Sequence, residues 1–266
     1  MLGSPFPFRE DAPMPDPSQY QHPPGAHRTI ADVGIVGGGR VGTVLARALS
    51  TAGYRVLGPS ARGEMPPAAD IILLCVPDRE IPGAAAAAAG RARLVGHTSG
   101  ATPLDHVDFG IHPLQTIRVG DHPAVLTGVG CAVAGRTPDA VAVAYELTEA
   151  LRMRPFPIAD EHRAAYHAAA AFASNFLVTL EAAAERMLSV AVPDADARAL
   201  LAPLVRRTVE NWAADGPEVA LTGPIARGDG QTVAWQRAAV AAEAAELIPL
   251  FDVLADSTRA LARRSR

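Results

Sequence analysis

The hydrophobic pattern changes character partway along the chain. In the first part, short apolar runs such as 33–36, 71–76 and 94–97 alternate with segments whose apolar residues recur at helical spacing. The run 71–76 is continuously apolar, which is typical of a strand buried on both faces of a parallel sheet. Strands that alternate with helices predict an α/β fold with a doubly wound parallel sheet.

The second part has helical periodicity only. From Asp160 onward the strand signals disappear, and apolar residues follow helical spacing as far as Leu261. Asp160 is a predicted N-cap for a long helix that continues toward Met187. The pattern therefore predicts two domains, a sheet domain at 30–158 and an all-helical domain at 159–266.

A glycine-rich turn joins the first predicted strand to the first helix, with the spacing Gly37-x-Gly39-x-x-Gly42. Gly37 permits a tight turn, Gly39 lets a pyrophosphate approach the backbone, and Gly42 lets the helix pack closely on its strand. The free N–H groups at the start of the helix face the anion. This context predicts a Rossmann dinucleotide-binding domain, and the alternative is an ordinary glycine-rich turn between a strand and a helix. The predicted cofactor contacts are Gly37, Gly38, Gly39, Arg40, Val41 and Gly42.

The end of the second predicted strand lacks the acidic residue that usually selects NAD. Leu57 and Gly58 stand there, and Ser60 and Arg62 follow. A carboxylate would accept a hydrogen bond from the ribose 2′-hydroxyl and repel a 2′-phosphate, whereas a guanidinium attracts the phosphate. The sequence therefore predicts NADP, bound by Ser60 and Arg62 with added charge from Arg40. The alternative is that Arg62 is a solvated loop residue.

Other predicted strand ends carry further candidates. Because the carboxyl ends of parallel strands line the ligand crevice, Val76 and Pro77 are predicted to pack against the cofactor. Ser99 and His112 follow or end the next two strands. They are predicted to lie on the side of the nicotinamide.

Polar residues recur on one face of the predicted long helix. His167, Ser174 and Asn175, together with Ala171, share one face of this otherwise alanine-rich helix. They either line a wet cleft or are core residues with satisfied hydrogen bonds. The loop 222–229 presents Arg227 and Asp229, which suit an anionic substrate or a subunit contact. The alternative is an ion pair that rigidifies the loop.

Composition argues against several classes of function. The net charge is −4, with 24 Lys and Arg against 28 Asp and Glu, so nucleic-acid binding is not expected. Cys75 and Cys131 lie far apart in sequence, and no carboxylate cluster joins His162 and His167, so neither a disulfide nor a metal site is predicted. The apolar segment 164–180 is interrupted by polar residues and predicts no membrane span. A cytoplasmic protein is expected.

Residues 1–29 have a different composition from the rest of the chain. They contain seven prolines and scattered charges, a composition that cannot bury enough apolar surface to order itself. The segment also lacks a basic region followed by an apolar core, so no secretory signal is predicted. It is interpreted as a disordered, dispensable tail, with a binding role as the alternative.

Six motifs together resemble one known family. They are the glycine turn, Cys75-Val76-Pro77-Asp78, His97-Thr98-Ser99-Gly100, Ile111-His112-Pro113-Leu114-Gln115, Tyr166-His167-Ala168-Ala169 with Ala173-Ser174-Asn175, and Leu221-Thr222-Gly223-Pro224-Ile225-Ala226-Arg227-Gly228-Asp229. Over about residues 30–250 the chain resembles Rossmann-like NADP-binding proteins whose C-terminal helical domain is of unknown function. That family is similar to pyrroline-5-carboxylate reductase, ketopantoate reductase and the 6-phosphogluconate dehydrogenase-like enzymes. The resemblance implies an N-terminal NADP-binding domain and a helical domain that forms a homodimer.

The sequence departs from this superfamily at its usual catalytic residue. Hydroxy-acid dehydrogenases and ketopantoate reductases carry a lysine four residues before an asparagine on the long helix, whereas here Ala171 precedes Asn175. His167 is the candidate replacement, because an imidazole that titrates near about 6.5 can donate a proton to a carbonyl oxygen as hydride arrives. Relatives also often have a histidine soon after the position of Val233, and here Gln236 stands there. That difference disfavours a C-terminal acid.

These residues predict an NADP-dependent oxidoreductase that transfers a hydride between nicotinamide and a small carbonyl or imine substrate. A 2-oxo acid such as ketopantoate is one candidate. The predicted catalytic residues are His167, Asn175, Ser99 and His112, and the predicted substrate-binding residues are Ser174, Arg227 and Asp229. The alternative is a non-catalytic NADP-binding sensor or scaffold, which the missing lysine favours. Reduction by a deazaflavin partner is a third option that only the superfamily resemblance suggests.

Overall fold

The fold is taken from a computed structural model that describes residues 30–264. The predicted proline-rich tail at 1–29 lies outside the described residues. The described chain divides into two compact units, the first ending at Ala171 and the second beginning at Phe172. We call them the sheet unit and the helical unit.

The sheet unit is built on one seven-stranded sheet. Its strands are β1 (Asp32–Val36), β2 (Arg55–Ser60), β3 (Ile71–Leu74), β4 (Leu94–His97), β5 (Phe109–Pro113), β6 (Gly130–Gly135) and β7 (Arg154–Pro157). Its helices are α1 (Arg40–Thr51), α2 (Ile81–Ala88), α3 (Pro138–Ala150) and α4 (Arg163–Ala171). The strand order across the sheet is β2-β1-β3-β4-β5-β6-β7, and every neighbouring pair is parallel except β5 and β6.

Apolar side chains cover both faces of this sheet. All four residues of β3 are buried; Ile71 and Leu73 belong to one apolar cluster, and Ile72 and Leu74 belong to a second. Helices α1 and α3 contribute to the first cluster, and α2 contributes to the second. Because successive strand residues point to opposite faces, this division places helices on both sides of the sheet. The doubly wound α/β fold predicted from the sequence is confirmed.

One strand pair departs from the predicted parallel arrangement. β5 and β6 are antiparallel, and the described segment between them holds a short 3-10 turn, Pro123–Leu126, and no α-helix. A parallel neighbour needs a long crossover, usually a helix, whereas an antiparallel neighbour can be reached without one. The chain therefore reverses direction across the sheet at this connection.

The unit boundary lies after α4, later than the predicted boundary after residue 158. Arg163 at the start of α4 is 2% exposed, and its Nε donates to Asp160 Oδ1 at 2.6 Å. Asp160 also accepts a hydrogen bond from the Leu104 N–H at 3.0 Å. The prediction that Asp160 caps the helix is wrong, because its carboxylate is used in these contacts and no side-chain cap forms at the turn Asp160–His162.

The helical unit begins with a π-helix, Phe172–Phe176. Its α-helices are α5 (Leu177–Ala191), α6 (Ala197–Asp215), α7 (Pro217–Ala220), α8 (Pro224–Arg227), α9 (Gly230–Glu243) and α10 (Ile248–Arg264). Asp196 caps α6 by accepting a hydrogen bond from the Ala199 N–H at 3.0 Å, which stabilises the first turn. Over residues 30–264, no helix combines the length and the apolar character needed to cross a membrane.

Candidate functional site

The glycine bend, residues 37–42, links β1 to α1. Gly37 has φ +98°, and a Cβ there would lie 2.4 Å from the Cys75 carbonyl oxygen. A Cβ on Gly42 would lie 1.9 Å from the Gly37 carbonyl oxygen, whereas a Cβ on Gly39 would meet no described atom within 4 Å. The fold therefore requires glycine at 37 and 42, while Gly39 leaves open space beside the first turn of α1. The N–H groups of that turn have no intrahelical partners and can bind an anion.

A cleft of about 700 Å³ lies next to the glycine bend, at the carboxyl ends of β1, β2 and β3. Its walls are Gly37–Gly39, the segment 61–66 after β2, the segment 75–77 after β3, and part of α2. Cofactor pockets have volumes in this range. Rossmann folds bind dinucleotides at this edge of the sheet, so the cleft has the position and size of a nucleotide site.

Six of the predicted cofactor residues line this cleft, namely Gly37, Gly38, Gly39, Arg62, Val76 and Pro77. The other four predicted cofactor residues are not part of the lining of this cleft within residues 30–264; they are Arg40, Val41, Gly42 and Ser60. Ser60 is 7% exposed, and its backbone carbonyl accepts a hydrogen bond from the Gly37 N–H at 3.0 Å. Ser60 therefore shapes the glycine bend through its backbone instead of presenting its hydroxyl to the cleft.

Charged side chains of both signs line the cleft. The Arg62 guanidinium donates to the carboxylate of Glu80, which lies in a 3-10 turn after β3. Glu64 folds back on its own loop, where its carboxylate accepts a hydrogen bond from the Ala61 N–H at 2.7 Å. Arg79 is exposed on the same cleft. The predicted phosphate ligand Arg62 is thus already paired with a carboxylate.

A second group of polar residues lies at the carboxyl ends of β4 and β5. We call it the histidine cluster, and its members are His97, Ser99, His112, Arg163, Tyr166 and His167. His112 Nδ1 lies 2.6 Å from Tyr166 Oη, and the two rings meet edge to face. His167 is exposed, with its ring centroid 6.5 Å from that of His112. Two of the predicted catalytic histidines are therefore neighbours, and a tyrosine adjoins them.

The His112 and Tyr166 pair is held neutral by its surroundings. Burial lowers the pKa of His112 to about 4, helped by the nearby His167 and Arg163. Burial also raises the pKa of Tyr166 to about 12. Near neutral pH the two groups share one hydrogen in their 2.6 Å hydrogen bond and keep a second one, on His112 Nε2 or on Tyr166 Oη. That second hydrogen can be donated to a reacting oxygen or nitrogen.

His97 and Ser99 have structural hydrogen bonds. His97 is fully buried; its Nδ1 accepts from the Ser99 N–H, and its Nε2 lies 3.3 Å from the Pro103 carbonyl oxygen, which assigns the ring hydrogen to Nε2. Burial lowers the pKa of His97 and so favours this neutral form. Ser99 Oγ accepts a hydrogen bond from the Thr102 N–H at 2.9 Å and holds the turn after β4. Ser99, one of the predicted catalytic residues, therefore stabilises the turn that holds His97.

Arg163 places a buried positive charge next to the two histidines. Its side chain is 3% exposed, and besides its bond to Asp160 its Nη1 donates to the Ser99 carbonyl at 3.4 Å. Within residues 30–264 its Nη2 has no hydrogen-bond partner. In addition to burial, this charge lowers the pKa of His97 and of His112. Arg163 therefore supports the neutral forms on which proton donation by the cluster depends.

The long predicted helix is interrupted. Because Phe172–Phe176 is a π-helix, the uninterrupted α-helical spacing that placed His167, Ser174 and Asn175 on one face does not exist here. The prediction of one continuous α-helix toward Met187 is therefore wrong, whereas the shared face of these three residues stays a prediction. Ser174 Oγ donates to Asn175 Oδ1 at 3.1 Å, within the helical unit. Their assignment as substrate-binding and catalytic residues remains a prediction.

Arg227 and Asp229 also belong to the helical unit. Asp229 caps α9: its carboxylate accepts hydrogen bonds from the Thr232 N–H at 3.0 Å and from the Thr232 hydroxyl at 2.6 Å. Arg227 is exposed at the end of α8. No group of three or more His, Cys, Asp and Glu side chains in the described part of the chain is placed to hold a metal ion.

Two residues of these sites escaped the sequence analysis. Tyr166 belongs to one of the six family motifs, but no chemical role was predicted for it. Glu80 follows the third strand and Arg62 follows the second, so no local pattern connects them. The strand order β2-β1-β3 brings both loops to one cleft. The acidic residue after the third strand was the available signal, since carboxyl ends of neighbouring strands meet at one edge.

Comparison with known proteins agrees with this architecture. Residues 129–258 match the model of a domain of unknown function, DUF2520. No curated protein is similar enough in sequence to match the chain. Among solved structures, a candidate NADP oxidoreductase from Bacteroides fragilis is 20% identical, with a TM-score of 0.73 over 86% of this chain and 98% of that one. Protein TM1727 from Thermotoga maritima is 21% identical, with a TM-score of 0.71 over 88% of this chain and 99% of that one.

A third similar structure carries a named enzyme activity. The 1-pyrroline-5-carboxylate reductase from Streptococcus pyogenes is 14% identical, with a TM-score of 0.56 over 86% of this chain and 98% of that one. At these identities the likeness establishes the fold. The predicted resemblance to Rossmann-like proteins with a C-terminal helical domain of unknown function is confirmed.

Proposed function

We propose that this protein is an NADP-dependent oxidoreductase acting on a carbonyl or imine group of a small substrate. The glycine bend carries the proposal, because Gly37 and Gly42 are required by the fold whereas Gly39 leaves space that no described residue fills. The cleft beside it and the likeness to a candidate NADP oxidoreductase and a pyrroline-5-carboxylate reductase support the same conclusion. Gly37–Gly39, the first turn of α1 and Arg62 would hold the nucleotide.

The chain's own contribution to the chemistry is a proton. When bound, the dinucleotide supplies or accepts the hydride. In the reducing direction the hydride adds to the substrate carbon, and the substrate oxygen or nitrogen takes one proton. The His112 and Tyr166 pair holds a donatable hydrogen at neutral pH and is partly buried, so water does not compete freely for it. Exposed His167 is the second candidate donor and lies next to His112.

The test begins with binding of the nucleotide to the full-length protein by isothermal titration calorimetry. Loss of NADPH absorbance is then followed with a panel of 2-oxo acids, ketopantoate included, cyclic imines and semialdehydes. Absence of affinity for both NADP and NAD would refute the proposal. Tight binding without turnover, together with nucleotide-dependent association with another protein, would instead support the sensor or scaffold alternative.

Tyr166→Phe and His167→Ala distinguish the two candidate donors. Removing the true donor is expected to lower kcat by roughly 100-fold while leaving the nucleotide Kd unchanged, because general acid catalysis contributes about 10²- to 10⁴-fold. If Tyr166→Phe and His112→Asn both retain full kcat and His167→Ala does not, proton donation by the His112 and Tyr166 pair is refuted. His112→Asn serves as the matched variant, since it removes the partner of Tyr166 and should reproduce the loss.

We further propose that the helical unit forms a homodimer. It carries thirteen of the sixteen exposed large hydrophobic side chains of the described chain, including Leu200, Leu204 and Trp212 on α6. Exposed apolar surface of this kind is typical of a subunit interface. A cytoplasmic location is proposed as well, since the free thiols of Cys75 and Cys131 suit a reducing compartment.

A further inference from the structure

Glu80 and Arg62 form an ion pair in the cleft beside the glycine bend. Glu80 lies in the turn after β3, and its carboxylate accepts a hydrogen bond from the guanidinium of Arg62, in the loop after β2. Since β1 lies between β2 and β3 in the sheet, this ion pair joins the two loops that flank the carboxyl end of β1. The glycine bend starts at that end, and all three segments line the same cleft.

The two partners of this ion pair have opposite preferences for the adenosine ribose. A carboxylate accepts a hydrogen bond from a 2′-hydroxyl and repels a 2′-phosphate, and a guanidinium does the reverse. Residues 57–62, which include the end of β2, contain no carboxylate. Glu80 brings a carboxylate to the same cleft from the neighbouring loop.

The geometry points to Glu80 as the residue that sets the preference between NAD and NADP, because its carboxylate can accept a hydrogen bond from the ribose 2′-hydroxyl of NAD and repels the 2′-phosphate of NADP that Arg62 would attract. This inference rests on the proposed nucleotide binding. A carboxylate has lone pairs for two or more donors, so Glu80 can accept from a ribose hydroxyl while it still binds Arg62. The 2′-phosphate of NADP can bind other N–H groups of the Arg62 guanidinium, but it then lies close to the Glu80 carboxylate, which repels it.

The pair is poorly suited to a purely structural role. The Arg62 side chain is 77% exposed and that of Glu80 is 27% exposed. Exposed ion pairs of this kind add little to folding stability, because water screens them. Arg79 is exposed on the same cleft and could also bind the 2′-phosphate. Within residues 30–264, Glu80 forms no hydrogen bond with Arg79.

Isothermal titration calorimetry on the full-length protein with NADP, NAD, adenosine 2′,5′-bisphosphate and AMP tests this inference. Glu80→Gln keeps the size of the side chain and removes its charge. It is expected to tighten NADP and the bisphosphate roughly threefold and to weaken NAD and AMP by a similar factor, a tenfold change in the ratio. Arg62→Gln is expected to weaken NADP roughly tenfold and to leave NAD nearly unchanged.

Asp139→Asn is the matched control, because Asp139 forms a comparable exposed ion pair with Arg93 and lines no part of the cleft. It should change neither affinity. If the wild-type protein binds both nucleotides and Glu80→Gln shifts them equally or not at all, the inference is overturned while the proposed function stands. If the wild-type protein binds neither nucleotide, the proposed function fails first, and thermal unfolding shows whether each variant is folded.

Discussion

The sheet unit and the helical unit differ in how much of their apolar surface they bury. The sheet unit buries most of its large apolar side chains in two clusters, one on each face of the sheet. In the helical unit the buried hydrophobic residues are Ala197, Val233, Val240, Ala244 and Ala255. Many of its larger apolar residues, such as Phe172 at 72% and Leu204 at 64%, are exposed.

This difference indicates that the sheet unit can bury its core by itself, whereas the helical unit leaves apolar surface uncovered. A parallel sheet covered by helices on both faces completes its own core. Short alanine-rich helices offer little side-chain volume to one another, so much of their apolar surface remains available for another protein surface. The candidate chemistry follows the same division, because all eight histidines of the sequence lie at or before His167. We therefore expect ligand binding and proton transfer in the sheet unit, and assembly through the helical unit.

The largest effect is expected at the glycine bend, where the sheet unit has no spare space. Gly42→Val would push a side chain into the Gly37 carbonyl oxygen, which lies 1.9 Å from a Cβ at this position. Such overpacking should lower the free energy of unfolding by about 3 kcal/mol or more and abolish nucleotide binding. Thermal unfolding and calorimetry measure the two effects.

Gly39→Ala is the control for this substitution. Its Cβ would meet no described atom, and the residue has φ −74°, so the fold accepts alanine there. Stability should be unchanged while nucleotide affinity falls, because the added methyl group occupies space beside the bend. A loss of stability equal to that of Gly42→Val would contradict the view that Gly39 is kept open for a ligand.

The next largest effect concerns pH, and the histidine contribution to it should arise in the sheet unit alone. The pKa of His112 is about 4 in the folded protein against an ordinary value of 6.5, so the unfolded chain binds more protons between these values. The stabilisation is therefore fully present above pH 6.5 and is lost as the pH falls toward 4. The loss should approach about 3 kcal/mol, with a contribution of the same sign from His97.

Urea unfolding at a series of pH values measures this dependence. His112→Asn should flatten the profile between pH 4 and 6.5, because asparagine does not titrate. The helical unit contains no histidine, so its unfolding should not change over this range for that reason. An unchanged slope in His112→Asn would show that the imidazole is not held neutral by its surroundings.

The next prediction concerns assembly through the exposed apolar surface of the helical unit. Leu204→Glu or Trp212→Glu places a charge on the exposed apolar surface of α6, where the wild-type side chains are 64% and 56% exposed. If the helical unit dimerises there, each variant should raise the dimer dissociation constant at least about 30-fold, the cost of removing one important interface residue. Sedimentation equilibrium measures the change, and nucleotide affinity should stay as it is.

Val119→Glu is the control from the sheet unit. Val119 is 87% exposed, so the same charge on that surface should leave assembly unaffected. A monomeric wild-type protein, or an equal effect of Val119→Glu, would refute dimerisation through the helical unit.

The smallest effect is expected from the exposed ion pairs that join neighbouring helices of the helical unit. Arg237 and Asp252 form a two-pronged pair between α9 and α10, at 2.8 and 2.9 Å. Because water and salt screen exposed charges, Arg237→Gln should lower Tm only slightly, and the difference should shrink as salt is added. A large, salt-independent loss of Tm would mean that this pair is essential to helix packing.

The amino-acid sequence by itself determined the features that depend only on residues close together in the chain. The apolar run at 71–76, the glycine spacing at 37–42 and the helical periodicity after Asp160 depend on neighbours in the chain, and they predict the order of strands, bend and helices. The same spacing predicts the cofactor contacts at Gly37, Gly38 and Gly39, which line the cleft. Each of these features follows from backbone geometry over a few residues.

Only the tertiary structure decided which distant groups meet. The antiparallel β6, the π-helix at Phe172–Phe176 and the use of Asp160 by Leu104 and Arg163 have no local signature. The same is true of the Arg62–Glu80 pair, because strand order rather than sequence distance sets which loops share an edge of a sheet. Hydrogen bonds and ion pairs depend on positions in space to within about an ångström, and a linear pattern does not contain that information.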